Sequence, residues 1–265
     1  MKEKILSLLP PDFPWGESVH YFAVTDSTNT QAKALARAGA PHGTLVIAGG
    51  QTGGKGRLGR QFHSPAGQGV YLSVILRPNC PASELMHLTC AAGVAMCNAI
   101  QAVCGITPGI KWPNDLVWDR KKLGGILTEI AFDSQGIAEY VILGIGINCS
   151  QSPADFPPEL QDIATSLFQA TGKPVLPEEL MAAMAASLLD MDRRLFADKA
   201  ALMEAYRTHC ITLGKEVLLL QGDTRTPAKA LDVDAEGGLI VTLSDGKQHT
   251  VSTGEVSVRG LFGYL

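Results

Sequence analysis

The chain has 265 residues, 46% apolar and 18% charged, with a formal net charge of −4, which leaves room for one good-sized domain and a small one, because single cores stop growing at roughly 250–300 residues. That balance excludes a diffuse positive field that would draw the whole molecule to nucleic acid or anionic lipid. No stretch reaches the ~18 uninterrupted apolar residues of a membrane helix, and residues 1–11 stop too soon for a signal peptide, so a cytoplasmic protein is expected.

Taken in chain order, Val19 to Val24 is β-branched and aromatic and reads as a strand running into Thr25-Asp-Ser-Thr-Asn29. Thr28 with Gln31 has the form of a capping box, and Ala32 to Ala38 is helical until Gly39 and Pro41 end it. Thr44 to Ala48 and Gly69 to Leu76 are the next strands, followed by an Ala-rich helix from about Ser83 to Val103. Cys90, Cys97 and Cys104 recur along that helix, spaced about 10.5 Å apart at the helical rise, too far for disulfides. They read as small buried hydrophobes, with zinc ligation the weaker alternative. Gly109 to Trp118, Lys122 to Phe132 and Glu139 to Asn148 read as three successive strands, giving a mixed sheet with helices on one face. Pro177 to Arg207 is helical throughout. From Ile211 short Val/Leu runs alternate with Gly, Asp and Ser turns, the pattern of a small β barrel or sandwich of about fifty residues with its boundary near Leu213-Gly214.

Chemistry concentrates in three places. Between Gly49 and Arg60 lie six glycines and three cations with no carboxylate. Each glycine loses much backbone freedom on ordering, so such a loop implies close approach of the backbone to something, and the cations suggest an anion. It is neither a Walker A nor a dinucleotide loop; a solvated surface loop or a tight strand connection are the plainer readings. If it binds an anion, backbone N–H groups around Gly54 and Gly56 would face it, with Lys55, Arg57 and Arg60 supplying charge and Gln51 an amide. The second place is Lys111-Trp-Pro-Asn-Asp115, a lysine held at a strand end by a proline-stiffened turn; a salt bridge to Asp115, a core Trp112 and turn-forming Asn114 are the alternatives. The third is Ser27-Thr28-Asn29, a helix cap or a set of polar groups for a ligand. Gly124, Gly125, Gly144 and Gly146 lie inside strands, where glycine marks close approach by ligand or backbone; Asn148 ends a strand.

Together and in this order, Ser27-Thr-Asn29, Gln51-Thr-Gly-Gly-Lys-Gly-Arg-Leu-Gly-Arg60, Lys111-Trp-Pro-Asn-Asp115, Lys122-Leu-Gly-Gly-Ile-Leu127 and Gly144-Ile-Gly-Ile-Asn148 resemble the biotin protein ligases, also called biotin–[acetyl-CoA-carboxylase] ligases. The resemblance runs from about residue 19 to the C-terminus. It implies an α/β (α+β) fold: a class II synthetase-like catalytic domain with a mixed sheet (residues 1–212) and a small C-terminal SH3-like β barrel (213–265). It implies that ATP and biotin are substrates, joined as biotinyl-5′-AMP with release of pyrophosphate, with Mg²⁺ held mainly through the ATP phosphates and no metal site of the protein's own. Biotin then passes to a lysine of a biotin carrier protein or domain of a carboxylase.

By the same resemblance Lys111 and Arg57 are catalytic cations. Ser27, Thr28, Asn29 and Gln51 receive the ureido ring, and Gly124 and Gly125 let the thiophane ring lie against the strand. Lys55 and Gly56 join them around the adenylate, and Gly54, Arg60, Asn114 and Asn148 lie toward the nucleotide. The glycine loop would be mobile when empty and ordered over the adenylate, excluding water. The chain departs from the family in having Lys55 where arginine is common, Gly50 where an acidic or polar residue is common and Phe62 where tryptophan is common. The roughly eighteen residues before the first strand are too few for the three-helix DNA-binding domain of the repressor type, so no nucleic acid and no membrane partner is expected; a homodimer stays open. The rival activities are a lipoate or octanoate ligase or transferase of related fold, and a non-catalytic biotin sensor.

Overall fold

The computed structural model describes residues 1–252 and 257–260. A short helix, α1 (Lys2–Ser7), buries Ile5 in the core, and β1 (Val19–Phe22) leads to α2 (Thr28–Arg37). The N-cap of α2 is Ser27, not Thr28 as the capping-box pattern suggested, because the Thr28 N–H donates to the Gln51 side chain instead. β2 (Thr44–Ala48) and β3 (Gly69–Leu76) follow, with the glycine loop between them, then α3 (Leu88–Cys104). The 82–104 segment is long and apolar enough to cross a membrane by composition alone; its packing inside the core, where Cys90 and Cys97 are fully buried, accounts for that composition.

The stretch 109–118 is a hairpin rather than one strand. β4 (Gly109–Lys111) and β5 (Asp115–Trp118) pair across a turn with a cis Trp112–Pro113 peptide, setting Lys111 opposite Asp115. β6 (Lys121–Phe132) and β7 (Ala138–Asn148) complete a seven-stranded sheet of order β1-β2-β3-β7-β6-β5-β4. It is mixed: β1 and β2 run parallel, and the other pairs are antiparallel. A one-turn helix, α4 (Leu167–Thr171), precedes α5 (Pro177–Arg194) and α6 (Lys199–His209), so the helical stretch read as continuous is two helices. The C-terminal strands β8 (Glu216–Gln221), β9 (Thr224–Val233), β10 (Leu239–Leu243), β11 (Gln248–Val251) and β12 (Ser257–Gly260) form a separate antiparallel sheet of order β11-β10-β9-β8-β12. Residues 253–256 and 261–265 of the expected C-terminal domain lie outside the described residues.

The two faces of the large sheet part by the two-residue period of its strands. Leu45, Ile47, Leu72, Val74, Val141 and Leu143 join the main core with α3 and α5, whereas Val46, Ile75 and Ile142 pack on Ala32 and Ala36 of α2. Helices therefore cover both faces, not one. On the second face β3 and β7 place Tyr71 beside Gly146 and Ser73 beside Gly144.

Candidate active site

A cavity of about 550 Å³ opens on that second face, beside α2. Its lining includes Ser27, Thr28, Asn29, Gln51, Lys55, Gly56, Arg57, Arg60, Lys111, Asn114, Gly125 and Asn148, so residues far apart in the chain meet in one place. Gly124 does not line it. A methyl group there would lie 2.6 Å from the Gly146 carbonyl oxygen, so that glycine serves the close pairing of β6 with β7. Gly54 lines a smaller neighbouring cavity and is itself packed against the Phe62 carbonyl and the Ser64 hydroxyl.

The polar end is built as a chain of hydrogen bonds. Gln51 Oε1 accepts from the Thr28 N–H (2.7 Å) and the Thr28 hydroxyl (3.2 Å), and Gln51 Nε2 donates to Ser64 Oγ (3.0 Å). The Ser73 hydroxyl lies 2.8 Å from Thr28 Oγ1 and 2.7 Å from Asn29 Oδ1. Gly144 leaves room for Asn29, whose Oδ1 would overlap any side chain there, and a methyl on Gly146 would approach the Phe62 ring to 2.5 Å. The glycines of β7 thus shape the slot through neighbouring side chains.

The glycine loop is a hairpin of its own. Gln51 N–H donates to Ser64 O, Phe62 N–H to Gly54 O and Gly56 N–H to Arg60 O, while the Thr52 and Gly53 N–H groups go to Thr25 and Asp26 carbonyls. The expected cradle of glycine N–H groups for an anion is therefore not how Gly53 and Gly56 are used, and the side chains carry the charge. At the tip Leu58 adopts φ 56° and is 59% exposed.

At the cationic end Lys111 is only 5% exposed, fixed by its strand position before the turn. Arg57 NH1 donates to Asn114 Oδ1 (3.2 Å), and Asn114 Nδ2 donates to the Ile126 carbonyl (2.8 Å); Asn114 thus aims Arg57. Burial lowers the Arg57 pKa, opposed by Asp115 and reinforced by Arg60, and a guanidinium stays charged regardless. Lys55 and Arg60 are exposed at the rim. Asn148 uses its amide inside the protein, donating to Thr165 O (2.9 Å) and accepting from Gln151 (3.4 Å), so it holds the 149–165 segment that carries Phe156 and Leu160 to the cavity wall.

Trp112 is 1% exposed, and ties the hairpin to distant chain: its N–H meets Thr212 Oγ1 and its indole N–H the Gly237 carbonyl, each at 2.9 Å. Sequence reading missed Ser73, Glu129 and Lys33, which anchor Asn29. A hydroxyl inside the apolar strand 69–76 and a carboxylate inside 121–132 were the available signals.

Fold and site together define a ligase of the biotin and lipoate class. The Biotin/lipoate A/B protein ligase family matches residues 21–148, and the Biotin protein ligase C terminal domain matches residues 212–259. The bifunctional ligase/repressor BirA of Bacillus subtilis is 38% identical over 235 residues, 87% of this chain and 71% of that protein. The biotin–[acetyl-CoA-carboxylase] ligase of Mycobacterium tuberculosis is 31% identical over 243 residues, covering 88% and 86%. The biotin protein ligase of Aquifex aeolicus, solved with biotin and ATP, superposes with a TM-score of 0.79 at 28% identity over 92% of this chain and 99% of that one. The chain belongs to the biotin protein ligase family.

Proposed function

We propose that the ATP-dependent ligation of biotin runs in this cavity as two half-reactions, with Lys111 and Arg57 as the cations of the first. The biotin carboxylate oxygen bonds to the α-phosphorus of ATP while the bond to pyrophosphate breaks. The carrier-lysine amine then attacks the acyl carbon, losing a proton as AMP leaves. In the first step negative charge gathers between carboxylate and phosphoryl oxygens, so prefixed cations stabilise the transition state more than the ground state. The observation that carries this reading is that one cavity holds a buried lysine at one end and the Thr28–Gln51–Asn29 network at the other. Ser27, Thr28, Asn29 and Gln51 would receive the ureido ring of biotin, while Lys55 and Arg60 gather the phosphates.

Among the described residues no cluster of three or more His, Cys, Asp or Glu side chains could hold a metal ion. The reading has Mg²⁺ carried on the oxygens of ATP, as the resemblance implies. The division into catalytic and C-terminal domains is placed after Thr212, where Gly214 turns the chain at φ 75°. Free thiols and a net charge of −4 suit a cytoplasmic enzyme acting on a protein rather than on nucleic acid or lipid.

ATP–pyrophosphate exchange, run separately with biotin and with lipoate and followed by transfer to a biotin carrier domain, tests the proposal. Exchange and transfer with biotin alone are expected. Exchange with lipoate instead, or binding without exchange, overturns it.

A further inference from the structure

Asn29, on the first turn of α2, is 3% exposed and its amide is engaged at both ends. Nδ2 donates to Glu129 Oε2 at 2.8 Å, and Oδ1 accepts from Ser73 at 2.7 Å. The second oxygen of Glu129 takes the Lys33 ammonium at 2.5 Å. Desolvation raises the Glu129 pKa, but the hydrogen bonds from Lys33 and Asn29 and the charges of Lys33 and Lys55 outweigh it, leaving the carboxylate below its ordinary range and ionised.

An amide has nearly the same shape in either sense, so packing alone cannot choose between the two. An ionised carboxylate only accepts. Turned the other way, Asn29 would set its oxygen against Glu129 and its NH₂ against the Ser73 hydroxyl, and the buried mismatch would cost more than the bonds gained. The choice propagates. With Asn29 Oδ1 accepting, the Ser73 hydroxyl is the donor, its proton shared between Asn29 Oδ1 and Thr28 Oγ1, and the Thr28 hydroxyl keeps its own proton for Gln51 Oε1. Lys33 meanwhile balances the carboxylate, so the anchor adds no net negative charge near an anionic substrate.

We propose that Glu129, seated on Lys33, is a positioning residue that sets the sense of the Asn29 amide and with it the donor and acceptor pattern offered to the cyclic urea of biotin. Glu129 does not line the cavity; it acts through Asn29. The proposal rests on the reading of Asn29 as part of the biotin slot.

The test is a double-mutant cycle on the full chain, with biotin and ATP dissociation constants measured separately by calorimetry. Glu129→Gln can donate as well as accept and frees the amide to turn; about tenfold weaker biotin binding is expected, with ATP binding within about twofold. Asn29→Ala is expected to weaken biotin binding similarly, and the double variant to be no more than about twofold weaker than Asn29→Ala alone. Full additivity, an unchanged biotin constant in E129Q, or equal losses for biotin and ATP overturns the positioning role. An Asn29→Ala variant with native biotin affinity overturns the biotin reading of Asn29 as well, which separates the two failures. Should E129Q not fold, Lys33→Gln loosens the same anchor and must show the same dependence on Asn29.

Discussion

Two hairpins bring cations to the cavity and hold them very differently. The glycine hairpin of residues 51–64 carries Lys55, Arg57 and Arg60 around a tip that is exposed and in left-handed backbone geometry. The β4–β5 hairpin carries Lys111 on a turn whose tryptophan is buried and bonded to the C-terminal part of the chain, and whose Pro113 carbonyl accepts from Tyr206 at 3.3 Å. Asn114 bridges the two, reaching Arg57 on one side and β6 on the other. The contrast suggests a division of labour. A charge that must sit at one spot in the transition state belongs on the clamped hairpin, and charges that collect a flexible triphosphate can sit on the looser one.

Substitutions break this comparison in order of size. Lys111→Ala is expected to have the largest effect, near-complete loss of biotin-dependent pyrophosphate exchange in a protein that keeps its fold. One charge about 4 Å from a phosphoryl oxygen contributes on the order of 4 kcal/mol of gross attraction at an effective dielectric of about 20. If felt only in the transition state, that is roughly a thousandfold in rate. Near-normal exchange would remove Lys111 from the chemistry.

Arg57→Ala is expected to fall between the hairpins, because Arg57 rides on the loop but is aimed by Asn114. A loss of roughly ten- to hundredfold in kcat/KM for ATP is expected, with biotin binding little changed. A loss as complete as that of Lys111→Ala would erase the distinction between the two hairpins.

The smallest effect lies behind the clamped hairpin. His87, 1% exposed, is adjacent to Gly237 and has its Nε2 2.9 Å from the Leu195 carbonyl. Burial lowers its pKa from 6.5 and does the same for His209. Between 6.5 and the lower folded value the unfolded chain takes up a proton that the folded chain refuses. Stability is therefore full above pH 6.5 and declines as pH falls through that window. The melting temperature is expected to drop by about a few degrees between pH 7.5 and 5.5, with a smaller drop in His87→Gln.

Much of the site could be read from sequence because its parts are short and ordered. Lys111 to Asp115 and Gln51 to Arg60 each carry unusual residue combinations, and both meet in the cavity. What sequence hid was pairing. Gly124 and Gly125 are neighbours, but strand period puts them on opposite faces, and only the pairing of Gly125 with Gly146 of β7 shows which one meets the slot. The loop glycines were read as an anion cradle because the carbonyls that take the Gly53 and Gly56 N–H groups, those of Asp26 and Arg60, lie outside the glycine run and look unremarkable by themselves. Glu129 and Ser73 sit in strands whose other residues are core, and only the contact with Asn29 reveals their use. In β9, Pro227 masked a strand that pairs on both sides.

The bond from the Trp112 indole to the Gly237 carbonyl spans 125 positions of the chain. A nascent polypeptide still short of Gly237 carries Lys111 without that tether. The β4–β5 hairpin gains its full bracing only after Gly237 has been made.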